Sequence, residues 1–132
     1  QIGDSLKIPI YRICNRAFNN SKNRRIINIE DAGPSEFIYL FINATFVITN
    51  SYHGTIFSCN FNKPFYVVLN PERKNNSRIT GFLELIGLTE RIVWENNMPN
   101  KITYEVDFCI ANNELSKWRL ASINFLNSSI NS

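Results

Sequence analysis

The fold is decided by T-F-V-I-T-N-S-Y-H-G-T-I-F-S-C-N, residues 45–60. Residues 45–49 are a short, nearly continuous apolar run, the pattern of a buried parallel strand. The next five residues, N-S-Y-H-G, are polar. From Thr55 to Asn60 apolar residues return at helical spacing, so the spacing predicts a helix starting near Gly54. A buried strand that turns sharply into a helix is half of a βαβ unit, and the other half follows at once. P-F-Y-V-V-L, residues 64–69, is a second strong strand, which makes the two strands parallel neighbours.

The same alternation extends both ways. Downstream, residues 70–77 are a polar loop. Ser77 is placed to cap a helix carrying Ile79, Phe82, Leu83 and Ile86 on one face, with Gly87 as its C-terminal stop. Residues 90–94 read as a further short strand, 98–107 as a linker, and 112–129 as a long helix with Leu115, Trp118, Phe125 and Leu126. Upstream, R-I-I-N-I at 25–29 has strand length and β-branched content. Gly33 as N-cap, Pro34 at the first helical position and Glu36 in the first turn start a helix over 34–43. Residues 8–14 fit a strand end or a helix start equally well, and 18–23 are a polar loop. The expected class is α/β: a Rossmann-like parallel sheet with helices on both faces, in one domain over 1–132. Ligands in such sheets sit beyond the carboxyl ends of the strands. The loops after residues 49 and 69 are therefore the places to look.

Composition narrows the classes. A chain of 132 residues with 44% hydrophobic and 19% charged residues is one domain's worth, and is not a disordered chain. No apolar run approaches the ~20 residues of a membrane-spanning helix. The 20 asparagines and 18 isoleucines are what an A/T-rich coding bias alone can produce, so they carry no functional weight. Charge is uneven: residues 1–25 hold six cations against Asp4, and the remainder is net −2. No aromatic stacking pattern accompanies that basic segment, so it reads as solvated surface rather than a nucleic-acid site. Cys14, Cys59 and Cys109 form no C-x-x-C pair, and there is a single histidine, so no structural metal site is expected. Odd, scattered cysteines in apolar surroundings read as buried small hydrophobes in a reducing compartment. Four N-x-S/T sequons, at Asn19, Asn43, Asn75 and Asn127, are expected by chance at this asparagine content, and Asn43 falls inside an apolar helical pattern. The expected location is the cytoplasm, including the inner membrane face. The chain opens on Gln1 rather than Met with no signal peptide after it, which reads as a piece of something longer.

Residues 49–55, T-N-S-Y-H-G-T, are the one dense polar constellation. Amides at the start of the helix after Gly54 would face an anion such as phosphate or carboxylate, with Asn50, Ser51 and Thr55 around them. His53 stands where a general acid or base is useful, or it serves only to cap the helix while Asn50 shapes the turn. In the loop N-P-E-R-K-N-N-S-R, residues 70–78, Arg73 and Lys74 are either solvated or face the same cleft. Arg78 falls on the first helical turn, where the helix dipole disfavours a cation, which points to an anionic partner.

The run from G-P-S-E-F-I through I-N-A-T-F-V-I-T-N-S-Y-H-G-T-I-F-S-C-N-F-N-K-P-F, residues 33–65, resembles the polysaccharide pyruvyl transferase family, whose members carry "A-x-x-V-I-T-N-S-F-H-G", a helix, then "K-P-F". R-I-T-G-F-L-E-L-I-G-L at 78–88 and N-E-L-S-K-W-R-L-A-S-I-N-F-L at 113–126 are similar to later family segments, so the resemblance covers roughly residues 25–128.

The resemblance implies a two-lobed fold like the B-type glycosyltransferases, of which this chain would be the C-terminal, donor-side lobe, with the N-terminal lobe missing. It implies transfer of a pyruvyl group from phosphoenolpyruvate onto two hydroxyls of a saccharide acceptor, lipid-linked or a polymer precursor. The product is a cyclic ketal in capsule or exopolysaccharide synthesis in bacteria, made without a cofactor. His53 then takes the general-acid role, and Asn50, Ser51, Gly54, Thr55, Arg73, Lys74 and Arg78 bind the donor. Some members carry an arginine two places before the histidine, as R-L-H. Here that position is Ser51, so another cation must receive the donor carboxylate. A lone lobe is expected to be inactive and to expose an apolar patch or self-associate. The alternatives are a nucleotide-sugar glycosyltransferase domain, or a non-catalytic module that keeps only the fold.

Overall fold

The computed structural model describes residues 7–14 and 26–132, which fall into two compact units, 1–43 and 44–132. The expected loop at 18–23 and the cations Arg16, Lys22, Arg24 and Arg25 lie outside the described residues.

In the first unit, strand β1 (Ile10–Cys14) pairs in parallel with β2 (Ile26–Glu30), Ile10 opposite Ile26 and Ile13 opposite Ile29. The ambiguous stretch 8–14 is thus a strand. Arg12 Nε donates to Asn28 Oδ1 at 2.9 Å across that register. Helix α1 (Pro34–Asn43) begins as its sequence predicts, with the Phe37 amide donating to the Gly33 carbonyl at 3.0 Å. Phe37 and Phe41, one turn apart, pack with ring centroids 4.8 Å apart. Asn43 is the helix's last residue and is exposed, its Nδ2 donating to the Tyr39 carbonyl at 2.8 Å. The apolar pattern in which Asn43 is embedded therefore does not bury it.

The second unit is built on a three-stranded parallel sheet in the order β3 (Val47–Thr49), β4 (Phe65–Leu69), β5 (Ile92–Trp94). Val47 and Thr49 lie opposite Phe65 and Val67, and Val67 and Leu69 lie opposite Ile92 and Trp94. Helix α2 (Tyr52–Asn60) links β3 to β4, α3 (Ser77–Leu85) links β4 to β5, and α4 (Cys109–Ile130) closes the unit. One core cluster joins Phe65, Val67 and Leu69 to Cys59 of α2, to Ile79, Phe82 and Leu83 of α3, and to Ala111 and Leu115 of α4. Alternate strand residues point to one face, so all three helices bear on a single face of this sheet. The topology explains why. Right-handed crossovers that step the same way twice leave both connecting helices on the same side, and a helix moves to the other side only where the strand order reverses. Helices on both faces, expected from the alternation of elements, are therefore not found within this unit.

The opposite face is organised by Tyr66, Phe46, Thr103 and Tyr104. The Tyr66 hydroxyl accepts from the Thr103 amide at 2.9 Å, and its ring meets Phe46 edge-on at 5.5 Å. Arg91, only 5% exposed, lies over the same ring at 5.3 Å and donates through Nη1 to the Thr103 carbonyl at 3.0 Å.

Both connecting helices end in the same device. After α3, Gly87 takes φ +71°, its amide donates to Glu84 O, and the Leu88 amide donates to Leu83 O at 2.9 Å. After α2, Asn62 takes φ +49°, and the Lys63 amide donates to Ser58 O at 2.8 Å. The start of α3 differs from expectation: Ser77 is its first residue, and the N-cap, Asn76, makes no side-chain cap bond. Helix α4 begins three residues before the predicted 112 and carries exposed Leu120, Ile123, Phe125 and Leu126 on its later turns. No helix among the described residues is long and apolar enough to cross a membrane.

Candidate functional site

The turn from β3 into α2 is held by its own short side chains. The Ser51 amide donates to Thr49 Oγ1 at 3.1 Å. Ser51, with φ −106° and ψ 138°, is the N-cap, and its Oγ accepts from the Gly54 amide at 3.4 Å. The Ser51 carbonyl accepts both the Thr55 amide at 3.0 Å and Thr55 Oγ1 at 2.9 Å, and Ser58 Oγ donates to the Gly54 carbonyl at 2.8 Å. The helix therefore starts at Tyr52, two residues before the predicted Gly54, and Ser51 rather than His53 is its cap. Thr55 is fully buried and its hydroxyl is engaged. Gly54 is buried against Thr49: a Cβ there would collide with Thr49 Oγ1 and lie 3.0 Å from Thr49 Cβ. Ser51, Gly54 and Thr55 thus form the frame of the turn.

The same frame leaves Asn50 and His53 exposed and Tyr52 half-buried. The Tyr52 ring packs edge-on against Phe82 of α3 at 6.0 Å and against His53 at 6.1 Å. The Arg78 guanidinium lies over the Tyr52 ring, 4.5 Å from its centroid. Arg78, on the first turn of α3, thereby joins the His53 side of the unit through Tyr52. It has no carboxylate partner among the described residues.

Beside this group, a shallow depression of about 10 Å³ lies at the carboxyl ends of the strands, lined by Asn50, Val68, Leu69, Asn70, Arg73, Asn76 and Glu95. Asn50 follows β3, Asn70 follows β4 and Glu95 follows β5, so all three strand ends contribute. Asn70 shapes the loop: its Oδ1 accepts from the Glu72 amide at 2.9 Å, and its carbonyl accepts from the Arg73 amide at 3.1 Å and Asn76 Nδ2 at 2.7 Å. Glu95 is anchored by its amide donating to the Leu69 carbonyl at 3.0 Å. The structure therefore groups Arg73 with Asn50, and Arg78 with His53. Lys74 begins a short 3-10 turn and is exposed, outside both groups. Tyr52, Asn70 and Glu95 were not singled out from the sequence. The signal was available: Asn70 and Glu95 directly follow predicted strands and Tyr52 lies three places beyond one.

Cys59 is fully buried beneath this turn, and burial pushes its thiol from 9.0 up to about 12. Cys109 is exposed, contrary to the expectation that the cysteines are buried hydrophobes. Among the described residues no group of three or more His, Cys, Asp or Glu is placed to hold a metal ion.

The family model for polysaccharide pyruvyl transferases matches residues 1–72, more than half of the chain. The match includes the β3–α2 turn and the residues before 25, and stops short of the stretches at 78–88 and 113–126. No curated protein and no solved structure matches the chain.

Proposed function

The chain belongs to the polysaccharide pyruvyl transferase family, and from that premise we propose that residues 44–132 form the donor side of a phosphoenolpyruvate-dependent ketal transferase in capsule or exopolysaccharide synthesis. In this reading His53 protonates the methylene carbon of phosphoenolpyruvate. The adjacent carbon becomes electrophilic and takes the first sugar hydroxyl. Its bond to the phosphate oxygen then breaks, phosphate leaves, and the second hydroxyl closes the ketal. One hydroxyl proton returns to His53 and the other leaves with phosphate, so the balance closes without a redox partner.

The observation that carries the reading is the Arg78 guanidinium over Tyr52, next to exposed His53, at the strand-end side of a parallel sheet. The donor brings a phosphate and a carboxylate, and a guanidinium suits either. Asn50 and Arg73 add an amide and a second cation beside it, while Ser51 and Gly54 hold the turn that presents them. Lys74 serves as a more distant cation for the same anions. The depression holds roughly one water, far less than the donor, so the reading includes a second lobe, arranged as in B-type glycosyltransferases, that completes the cleft and brings the acceptor.

A thermal-shift comparison tests this. Phosphoenolpyruvate should raise the unfolding temperature of the chain, and UDP- or GDP-sugars should not. Stabilisation by a nucleotide sugar alone would move the assignment to a glycosyltransferase domain. In cells, His53→Ala in the encoded protein should abolish pyruvylation of the polymer. Unchanged pyruvylation would leave only a non-catalytic module.

A further inference from the structure

We propose that Tyr52 is a positioning residue: its ring fixes the Arg78 guanidinium beside His53, making Arg78 the cation that receives an anionic group of the donor. The inference rests on the donor reading above and adds to it a residue and a cause.

Three observations carry it. First, Arg78 sits on the opening turn of α3, where the helix dipole repels a cation. An exposed arginine in that place would ordinarily swing into solvent. Here its guanidinium carbon stands 4.5 Å from the Tyr52 ring centroid, within the range where the ring's negative face attracts a cation. Secondly, the Tyr52 ring is itself held. It packs edge-on against both buried Phe82 of α3 and His53, so the platform does not depend on the arginine for its orientation. Thirdly, the charge of Arg78 is not neutralised by any carboxylate among the described residues. A guanidinium stacked on a ring keeps its N–H edge available for an oxyanion, because the ring takes up only its flat face.

The residue after Ser51 in T-N-S-Y-H-G thus has its own task. Ser51 caps α2 and cannot offer a charge. Tyr52 brings one from the neighbouring helix.

The experiment is a phosphoenolpyruvate titration of wild type, Tyr52→Phe, Tyr52→Leu, Arg78→Ala and the Tyr52→Leu/Arg78→Ala double variant. An exposed cation–π contact corresponds to about a two- to fivefold change in affinity. Tyr52→Leu should therefore weaken binding about two- to fivefold. Tyr52→Phe, which keeps the ring, should bind as wild type. In the Arg78→Ala background Tyr52→Leu should cost nothing further. An equal loss in both backgrounds, or a loss in Tyr52→Phe matching that in Tyr52→Leu, overturns the inference while leaving the donor reading standing. Wild type that does not bind phosphoenolpyruvate overturns the donor reading and this inference with it. A measurement on the wild type alone guards against misfolded variants: the Arg78 δ-methylene protons should be shifted upfield by the Tyr52 ring current, and unshifted resonances overturn the inference.

Discussion

Gly54→Ala isolates the geometry of the turn. Elsewhere in a helix, replacing glycine by alanine stabilises by about 0.5–1 kcal/mol, through backbone entropy. Here the added methyl would run into Thr49 Oγ1 and sit 3.0 Å from Thr49 Cβ. Thr49 cannot turn away at little cost, because it is β-branched and its Oγ1 accepts the Ser51 amide at 3.1 Å. Overpacking of this kind costs about 1–3 kcal/mol, and losing the hydrogen bond about 1 kcal/mol more. Offset by the propensity gain, the net is a destabilisation of about 1–3 kcal/mol. Urea unfolding followed by tryptophan fluorescence reads this directly, since Trp94 and Trp118 both lie in the 44–132 unit. Thr49→Ala removes the colliding oxygen, so the Gly54→Ala cost should shrink by about 1 kcal/mol in that background. Gly54→Ala at or above wild-type stability, or the same cost with Thr49→Ala, would refute the claim that close approach to Thr49 requires glycine here.

Other expectations follow from the same packing. His53 is exposed, so His53→Asn should change the unfolding free energy of the chain by no more than about 0.5 kcal/mol, while on the donor reading the same change in the whole encoded protein should cut pyruvyl transfer about 10²- to 10⁴-fold; loss of both together would make His53 structural. Arg91→Lys should cost about 1–2 kcal/mol in urea unfolding, because an ammonium cannot both sit over the Tyr66 ring and reach the Thr103 carbonyl; an unchanged midpoint counts against this clamp. Burial holds the Cys59 thiol up at about 12, against 9.0 for an accessible thiol, so the unfolded chain releases this proton first. The stabilisation is full below pH 9 and is lost as pH rises from 9 towards 12, with a slope on the order of 1.4 kcal/mol per pH unit. The Cys59→Ala variant should lack that component of the alkaline slope. In the native chain at pH 8 a disulfide reagent should label Cys109 and spare Cys59.

What could be read from the sequence was whatever local chemistry decides alone. Gly33-Pro34 starts α1 and Gly87 stops α3 because φ preference and a missing N–H act within a few residues. The apolar run at 64–69 marked a parallel strand because it is buried along nearly its whole length and leaves no alternation to misread, whereas the equally apolar run at 45–49 forms a partly exposed strand with Ile48 52% exposed, not the buried one its composition suggested. The helical side of the sheet was not legible, since it depends on whether the strand order reverses, and periodicity carries no information about order. The start of α2 was misplaced for a related reason. Serine and glycine both suit a helix start, and the choice between them turned on Thr49 Oγ1, which lies close to Gly54 in space and whose acceptance of the Ser51 amide no propensity foresees.

That misplacement bears on the site. With a start at Gly54, Asn50, Ser51, His53 and Thr55 would form one polar loop in which all face a ligand. With the start at Tyr52 the stretch divides by direction. Thr49, Ser51, Gly54, Thr55 and Ser58 bond to one another and close the turn. Asn50, Tyr52 and His53 are the residues that this frame presents. A charged residue at position 51 would give up the serine cap, and the present sequence keeps the cap. On the donor reading the anion-binding charge then enters from another element, and among the described residues Arg78 brings a guanidinium over the Tyr52 ring, the same ring that meets His53.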